Sequence, residues 1–343
     1  MKYIGLDAHS RNCFFVILSK SGKLLEKVRI VTAEMELLNY VRSIKGRKKL
    51  ILEESSISQW IYILLKDEVD ELIICQPVAS SGPKTDWIDA TELADSLRIN
   101  KFKEVFHSDT ALMELRSLVS GYQDLQQEIV RTKNRYSALF RQCAISIKKS
   151  KMYHFDEAIP CLSTENMRYV AASLGERLIL LQKQKAGFVE LFERNVLHYK
   201  EIRLLTTIPG IAATRANQIA AIVVTPYRFS SKYKFYAYSM LVKHNRISDG
   251  KSYGKRSPHG QSTLKKIFKA SAHSALMGQS SFRRHYEMLK AQGKDEKASR
   301  NSVSRLIAAT TLGIWKSGKK YDDKYMEVIR RRNKIGKVKT ENI

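Results

Sequence analysis

The stretch Tyr3-Ile4-Gly5-Leu6-Asp7 closes an apolar run on a carboxylate, and Leu50-Ile51-Leu52-Glu53 does the same. Both acids therefore sit at the tips of apolar segments, where an unpaired charge is costly. A third stretch, Lys84-Thr85-Asp86-Trp87-Ile88-Asp89-Ala90, opens a helical pattern, and the spacing of Asp86 and Asp89 puts both on one helical face. Read singly, each acid is a surface charge or, for Asp86, a group that stabilises a helix N-terminus. Four acids in this order at element ends point instead to converging oxygen ligands for a hard divalent cation.

The surrounding residues predict the frame that holds them. Tyr3–Leu6 reads as a short strand, and Asn12–Ser19 and Leu24–Val31 as two more, joined by a hairpin across Lys20-Ser21-Gly22-Lys23. Thr32 is expected to cap a helix to about Ile44, in which Leu37, Leu38 and Val41 fall near helical spacing. Strands at Leu50–Glu53 and Glu71–Cys75 then alternate with helices at Ile57–Lys66 and Trp87–Ile99. Three meandering strands followed by alternating helices and strands predict a mixed sheet with helices on its faces.

Beyond residue 107 the pattern becomes helical. Leu112, Leu115, Leu118, Tyr122, Leu125 and Ile129 recur every three or four positions, as do apolar residues from about Met167 to Leu197. They read either as core helices of one domain or as a coiled coil that dimerises. Residues 147–166, with Lys148-Lys149-Ser150-Lys151 and Pro160, break the pattern as a connection. Further on, Ile208-Pro209-Gly210-Ile211 precedes a small-residue helix over Ala213–Val223; such a turn offers backbone amides to a phosphate or simply caps the helix. Lys243–Lys269 is dense in Ser, Gly, Lys and Arg and is expected to form a mobile loop near phosphates. Helices are expected at Leu264–Met277, Phe282–Gln292 and Ser302–Trp315, with a basic tail over Arg330–Lys339.

The 343 residues, 43% of them hydrophobic, are enough for two or three domains with real cores. The expected division is 1–107, an α/β catalytic domain; 108–197, a helical, coiled-coil-like connector; and 198–343, a mainly helical basic domain. Charge supports it. Residues 1–107 hold 16 Lys and Arg against 15 Asp and Glu, residues 108–195 hold 13 against 10, and residues 196–343 hold 31 against 9. The last segment thus carries +22 of the net +26, a concentration that calls for a polyanion such as DNA or RNA. Cys13, Cys75, Cys143 and Cys161 are widely spaced, which argues against a disulfide framework or zinc knuckle and fits a reducing cytoplasm. Neither a leader nor a membrane span is expected.

The order of strands and acids looks like the RNase H-like (RuvC-like) fold, in which two metals about 3.5–4 Å apart activate a nucleophile and steady a leaving oxygen. More specifically, the chain resembles the DEDD-type transposases and site-specific DNA invertases of the insertion-sequence one-ten group, which includes Piv-type invertases and bridge-RNA-guided recombinases. The resemblance rests on Tyr3–Asp7, Leu52-Glu53 and Lys84–Ala90, and in the second half on Ile208–Ile211, Phe229 and the Ser-Gly-Lys segment leading to Gly260 and Leu264-Lys265-Lys266. It implies Mg2+ or Mn2+, two ions, on Asp7, Glu53, Asp86 and Asp89, and a serine nucleophile best matched by Ser248. Glu53 is followed by Glu54-Ser55-Ser56 where the family has Ala-Thr-Gly, which makes Glu54 a rival ligand. Ser248-Asp249-Gly250 carries one residue more than the family's Ser-Gly pair, and Ser252 lies close enough to compete.

The resemblance therefore implies an enzyme that cuts and rejoins DNA, with a structured guide RNA as a further partner open to it. A homodimer, or a tetramer on DNA, is expected because the acids lie before residue 90 and the serine at 248, two DNA partners need at least two cutting centres, and the long helices offer a dimerising surface. Two other readings compete: a RuvC-like nuclease in which water attacks and Ser248 only contacts phosphate, and a non-catalytic nucleic-acid binder. Intact acids at all four positions argue against the last.

Overall fold

The computed structural model describes residues 1–77, 85–148 and 150–324; Lys84, Lys149 and the Arg330–Lys339 tail lie outside the described residues. The chain divides into two compact units, Met1–Met113 and Glu114–Ile343. The second holds most of the helical stretch as well as the basic segment.

In the first unit, strands β1 (Lys2–Ala8), β2 (Asn12–Leu18) and β3 (Leu24–Val31) are followed by helix α1 (Glu34–Ser43), β4 (Lys48–Glu53), α2 (Ser58–Leu65), β5 (Glu71–Cys75) and α3 (Asp86–Arg98). The sheet order is β3-β2-β1-β4-β5. β1, β2 and β3 pair antiparallel, whereas β4 and β5 run parallel to β1. This is the expected mixed sheet. A parallel neighbour cannot be reached by a tight turn, so α1 and α2 serve as the crossovers. The hairpin between β2 and β3 turns at Gly22, whose φ of +87° suits glycine.

Strand alternation divides the side chains between two cores. Ile4, Leu6, Leu50 and Leu52 pack with Leu37 and Val41 of α1 and Ile61 and Leu65 of α2. On the opposite face Ile51 and Ile73 meet Leu93 and Leu97 of α3. Thr32 does not cap α1 as expected: Ala33 occupies the N-cap without a side-chain bond. The Thr32 hydroxyl instead donates to the His9 carbonyl at 2.7 Å, tying the end of β3 to the loop after β1.

The second unit contains most of α4 (Ala111–Gln142), then α5 (Phe155–Ala158), α6 (Glu165–His198), α7 (Lys200–Leu205), α8 (Ala213–Val223) and α9 (Lys232–Tyr238). Strands β6 (His244–Ser248) and β7 (Lys251–Arg256) follow, and α10 (Ser262–Ala275), α11 (Ser281–Ala291) and α12 (Glu296–Ser317) complete it. The two long helices pack on each other in antiparallel fashion. Tyr122 meets Phe192, Leu125 and Ile129 cluster with Leu181, and Tyr136 and Phe140 cluster with Ala171 and Leu178. Within one chain they are thus core partners. α6 still exposes Tyr169, Ile179, Leu180 and Leu197. Asn217 of α8, fully buried, donates to the Phe192 and Ala213 carbonyls and accepts from Asn195, pinning α8 to α6.

The expected mobile loop over Lys243–Lys269 is a correction. The segment forms a β-hairpin, β6 paired with β7, and then enters α10. Asp249 and Gly250 at its turn have φ of +48° and +69°, the two positive values of a type I′ turn, for which Asp-Gly is a preferred pair. Among the described residues no helix is long and apolar enough to cross a membrane. The four cysteines are free thiols.

Candidate metal centre

The placement of the acids follows from one glycine. A Cβ built on Gly5 would lie 2.0 Å from the Ala90 carbonyl oxygen and 2.5 Å from the Ala94 amide nitrogen, so α3 crosses β1 at backbone contact. Asp7, two residues on, emerges on the same face of the strand. The same parity holds on β4, where Ile51 packs under α3 and Glu53 follows two residues later. Because β1 and β4 are parallel with Leu6 opposite Leu52, Asp7 and Glu53 end neighbouring strands on the side that α3 covers.

α3 brings the other two acids. Its N-cap is Thr85, whose hydroxyl accepts from the Ile88 amide at 3.2 Å, so Asp86 is not the cap but the first residue of the helix. Trp87 lies edge-on against Phe14 at 5.0 Å, and Phe14 is the β2 residue opposite Asp7. That aromatic contact seats the first turn of α3 beside Asp7. Asp86 and Asp89 both lie in the first turn of α3.

Asp7 is pulled in several directions. Burial raises its pKa, the neighbouring His9 lowers it through charge and a hydrogen bond, and the like charges of Asp86 and Asp89 raise it again; the net shift is upward. His9 Nε2 lies 3.0 Å from Asp7 Oδ2 and 3.4 Å from Asp86 Oδ1, bridging the two acids. Ligand atoms of Asp7, His9 and Asp86 all fall within 4.8 Å of one another. The structure therefore brings Asp7 and Asp86 to ligand-sharing distance, and Asp89 close enough to perturb Asp7. Glu53 stands at the adjacent strand end, where burial first and its charge second push the Cys75 thiol up to about 12.

The set of hard oxygen donors, backed by the half-buried Asp7 carboxylate, is chemically suited to a divalent cation. His9 is the residue the sequence reading missed. The signal was present: a histidine two residues after Asp7 shares its face of an extended strand.

Glu54 is placed elsewhere. Its carboxylate accepts from His107 Nε2 at 2.5 Å, and the His107 side chain is only 2% exposed. His107 Nδ1 lies 2.6 Å from Gln59 Oε1, and the Gln59 amide donates to the Ser108 carbonyl at 2.9 Å. Glu54 is thus committed to a bonded chain.

Ser248 ends β6, exposed at the turn, opposite Lys251; Ser252 is opposite Ile247. Elsewhere in the second unit, a cleft of about 850 Å³ opens at Pro209-Gly210 and the N-terminus of α8. Gly210, with φ +88°, lets the turn close to 2.2 Å between a built Cβ and the Ser271 carbonyl, a gap that only glycine fits. Arg215 lines this cleft, held by the Gly210 carbonyl at 2.7 Å and the Ser274 hydroxyl at 2.9 Å.

Residues 4–145 match the family DEDD_Tnp_IS110, described as Transposase. Residues 202–287 match the Transposase IS116/IS110/IS902 family. The first match spans all four acids and the second spans Ser248. No curated protein matches the chain.

Proposed function

Because this chain belongs to the IS110 family of DEDD transposases, and so acts in DNA transposition, we propose that it cuts and rejoins DNA with a serine nucleophile and a four-carboxylate divalent-metal centre on an RNase H-like domain. The observation that supports this reading is that Asp7 and Asp86 come to ligand-sharing distance, with Asp89 close enough to act on Asp7 and Glu53 ending the strand beside it.

Asp7, Glu53, Asp86 and Asp89 would hold Mg2+ or Mn2+, two ions in all. When bound, the metal supplies Lewis-acid stabilisation of phosphate charge and lowers the pKa of a coordinated hydroxyl or water. His9 lies between the Asp7 and Asp86 carboxylates, 3.0 and 3.4 Å away. Ser248 is the nucleophile: its hydroxyl oxygen forms a bond to phosphorus as the bond to one DNA oxygen breaks, and the proton it gives up ends on that leaving oxygen. Attack by a second DNA hydroxyl on that phosphoserine expels the serine oxygen, which regains a proton, and restores a phosphodiester, so rejoining needs no external energy source.

The +22 carried by residues 196–343 holds the DNA backbone, with the α8 cleft and Arg215 as one site of phosphate binding. The same charge suits a structured guide RNA, and a single discrete RNA copurifying with the protein would assign that partner. The assembly is a homodimer, or a tetramer on DNA, and the compartment is the cytoplasm. Domain limits of 1–107, 108–197 and 198–343 describe the division of labour.

The decisive test is a covalent protein-DNA adduct trapped during recombination by wild-type protein. It should be absent from Ser248→Ala, and strand cleavage should be absent from Asp89→Asn, with salt-sensitive DNA binding kept in both. Cleavage by Ser248→Ala with an adduct would move the attack to Ser252, cleavage without one would assign it to water, and cleavage by Asp89→Asn at the normal rate would remove that acid from the centre.

A further inference from the structure

The β6–β7 hairpin is a ribbon without a core. Every residue of His244–Ser248 and Lys251–Arg256 is exposed, including Ile247 at 66% and Tyr253 at 63%. An isolated two-stranded hairpin is marginal in water, so a ribbon left bare on both faces implies a surface that it meets in use.

Its register decides which face that is. Ser248 pairs with Lys251 and Ile247 with Ser252, but Asn245 pairs with Lys255 and His244 with Arg256. Between these two sets the single residue Arg246 opposes Tyr253 and Gly254, and Gly254 has the φ of +92° that a bulge glycine adopts. Cross-strand partners share a face and successive residues alternate. One face therefore gathers His244, Arg246, Ser248, Lys251, Tyr253 and Arg256; the other holds Asn245, Ile247, Ser252 and Lys255. Without the bulge, Arg256 would stand with Ile247 and Ser252. The extra residue thus puts Arg256 in place of Lys255 on the face that Ser248 shares with Arg246, Lys251 and Tyr253, while the pairing of Ser252 with Ile247 beside the turn keeps Ser252 on the other face.

We propose that this ribbon docks, cationic face down, across the major groove of duplex DNA and delivers Ser248, not Ser252, to the phosphodiester backbone. The inference rests on the reading of this chain as a transposase with a serine nucleophile. Dimensions favour DNA: two strands about 4.8 Å apart fit a groove about 12 Å wide. The deep, narrow major groove of A-form RNA does not admit such a ribbon. Arg246, Lys251 and Arg256 are all exposed and so open to a phosphate backbone.

The test uses the full-length protein, a fluorescent DNA duplex, an RNA duplex of the same sequence, and a chelator so that binding is read without cleavage. The triple variant Arg246→Ala, Lys251→Ala, Arg256→Ala should flatten the log-log salt dependence of DNA binding by about 2.7, at about 0.9 for each phosphate that is no longer neutralised. Between 50 and 200 mM salt it should then lose about 40-fold less affinity than the wild type does. Lys255→Ala, on the opposite face, should leave the slope unchanged. An unchanged DNA slope in the triple variant, an equal drop in Lys255→Ala and in Arg256→Ala, or a loss confined to the RNA duplex would each overturn the proposal. Thermal denaturation checks that the variants are folded. Ser248→Ala separates the two levels: if it still recombines DNA while the triple variant flattens the slope, the nucleophile is wrong and the docking face stands.

Discussion

Gly5→Ala tests whether the close crossing of α3 over β1 builds the site. Alanine adopts a strand conformation without strain, so its cost here is steric alone. The added Cβ would sit 2.0 Å from the Ala90 oxygen and 2.5 Å from the Ala94 nitrogen, and both are backbone atoms that no side-chain rotation can move. To reach an ordinary separation of 3.4 Å, α3 must retreat by about 1.4 Å at this crossing. Asp86 and Asp89 ride on that helix while Asp7 and Glu53 stay on the sheet, so the acids separate by a similar amount. A misplacement of about 1 Å in a catalytic constellation costs on the order of 100-fold in rate, and overpacking of this kind costs about 1–3 kcal/mol in stability. We therefore expect recombination between the ends of the element, measured in cells with its full flanking sequence, to fall by at least about 100-fold. The Met1–Met113 unit should melt several degrees lower. Gly187→Ala is the control, because a Cβ there meets nothing within 4 Å. A Gly5→Ala protein that recombines within about 3-fold of wild type and melts at the same temperature would refute the argument, since a shift of about 1 Å predicts far more.

Asp323 tests the anchoring of α11. Burial acts to raise its pKa, but bonds from the Tyr321 hydroxyl, the Ser281 amide and the Arg284 guanidinium outweigh this and pull it down to about 2. A depressed carboxylate stabilises the fold above its unfolded pKa of 3.8, and this contribution is lost as pH falls through about 2. The side chain is 36% exposed, so after solvent screening we expect Asp323→Asn to cost about 1 kcal/mol at pH 7. That corresponds to about 2–4 °C in Tm, shrinking below about pH 4; an unchanged Tm at neutral pH would contradict it. His107→Leu, which leaves Gln59 Oε1 and the Glu54 carboxylate without their shared partner, should destabilise the first unit by about 1–3 kcal/mol in a denaturant titration. A change under about 0.5 kcal/mol would mean that water replaces the imidazole at no cost. Leu180→Glu and Leu197→Glu on the exposed side of α6 should lower the mass of the DNA-free protein from dimer to monomer by light scattering, and a monomeric wild type would remove the dimer from the account.

The parts of this molecule that were legible in its sequence are those governed by short-range periodicity. Asp7 and Glu53 could be assigned to strand ends because apolar runs stop at them, and the spacing of Asp86 and Asp89 fixes a helical face wherever the helix lies. What brings α3 and its acids up to Asp7 was not legible in the same way: Gly5 reads as one small residue in a strand, and its meaning depends on Ala90 and Ala94, far along the chain. His107 belongs to this class too, a buried histidine in an irregular segment whose partners Glu54 and Gln59 are set only by the fold. Thr32 failed for a related reason, since a hydroxyl beside a helix start has two claimants and the His9 carbonyl won.

The β6–β7 ribbon is the opposite case. Asp249-Gly250 was a strong local signal for a two-residue turn, yet the flanking residues are so polar that composition suggested a loop. Hydrophobic alternation marks strands that have a core to face, and this ribbon has none. Its alternation is written in cations instead, and it becomes readable only once the bulge at Tyr253-Gly254 is known, because a shift of one residue exchanges the faces. A strand patterned for a polyanion therefore looks like a loop to any reading that searches for apolar residues. The exposed basic segments of a transposase are where that reading should be expected to fail.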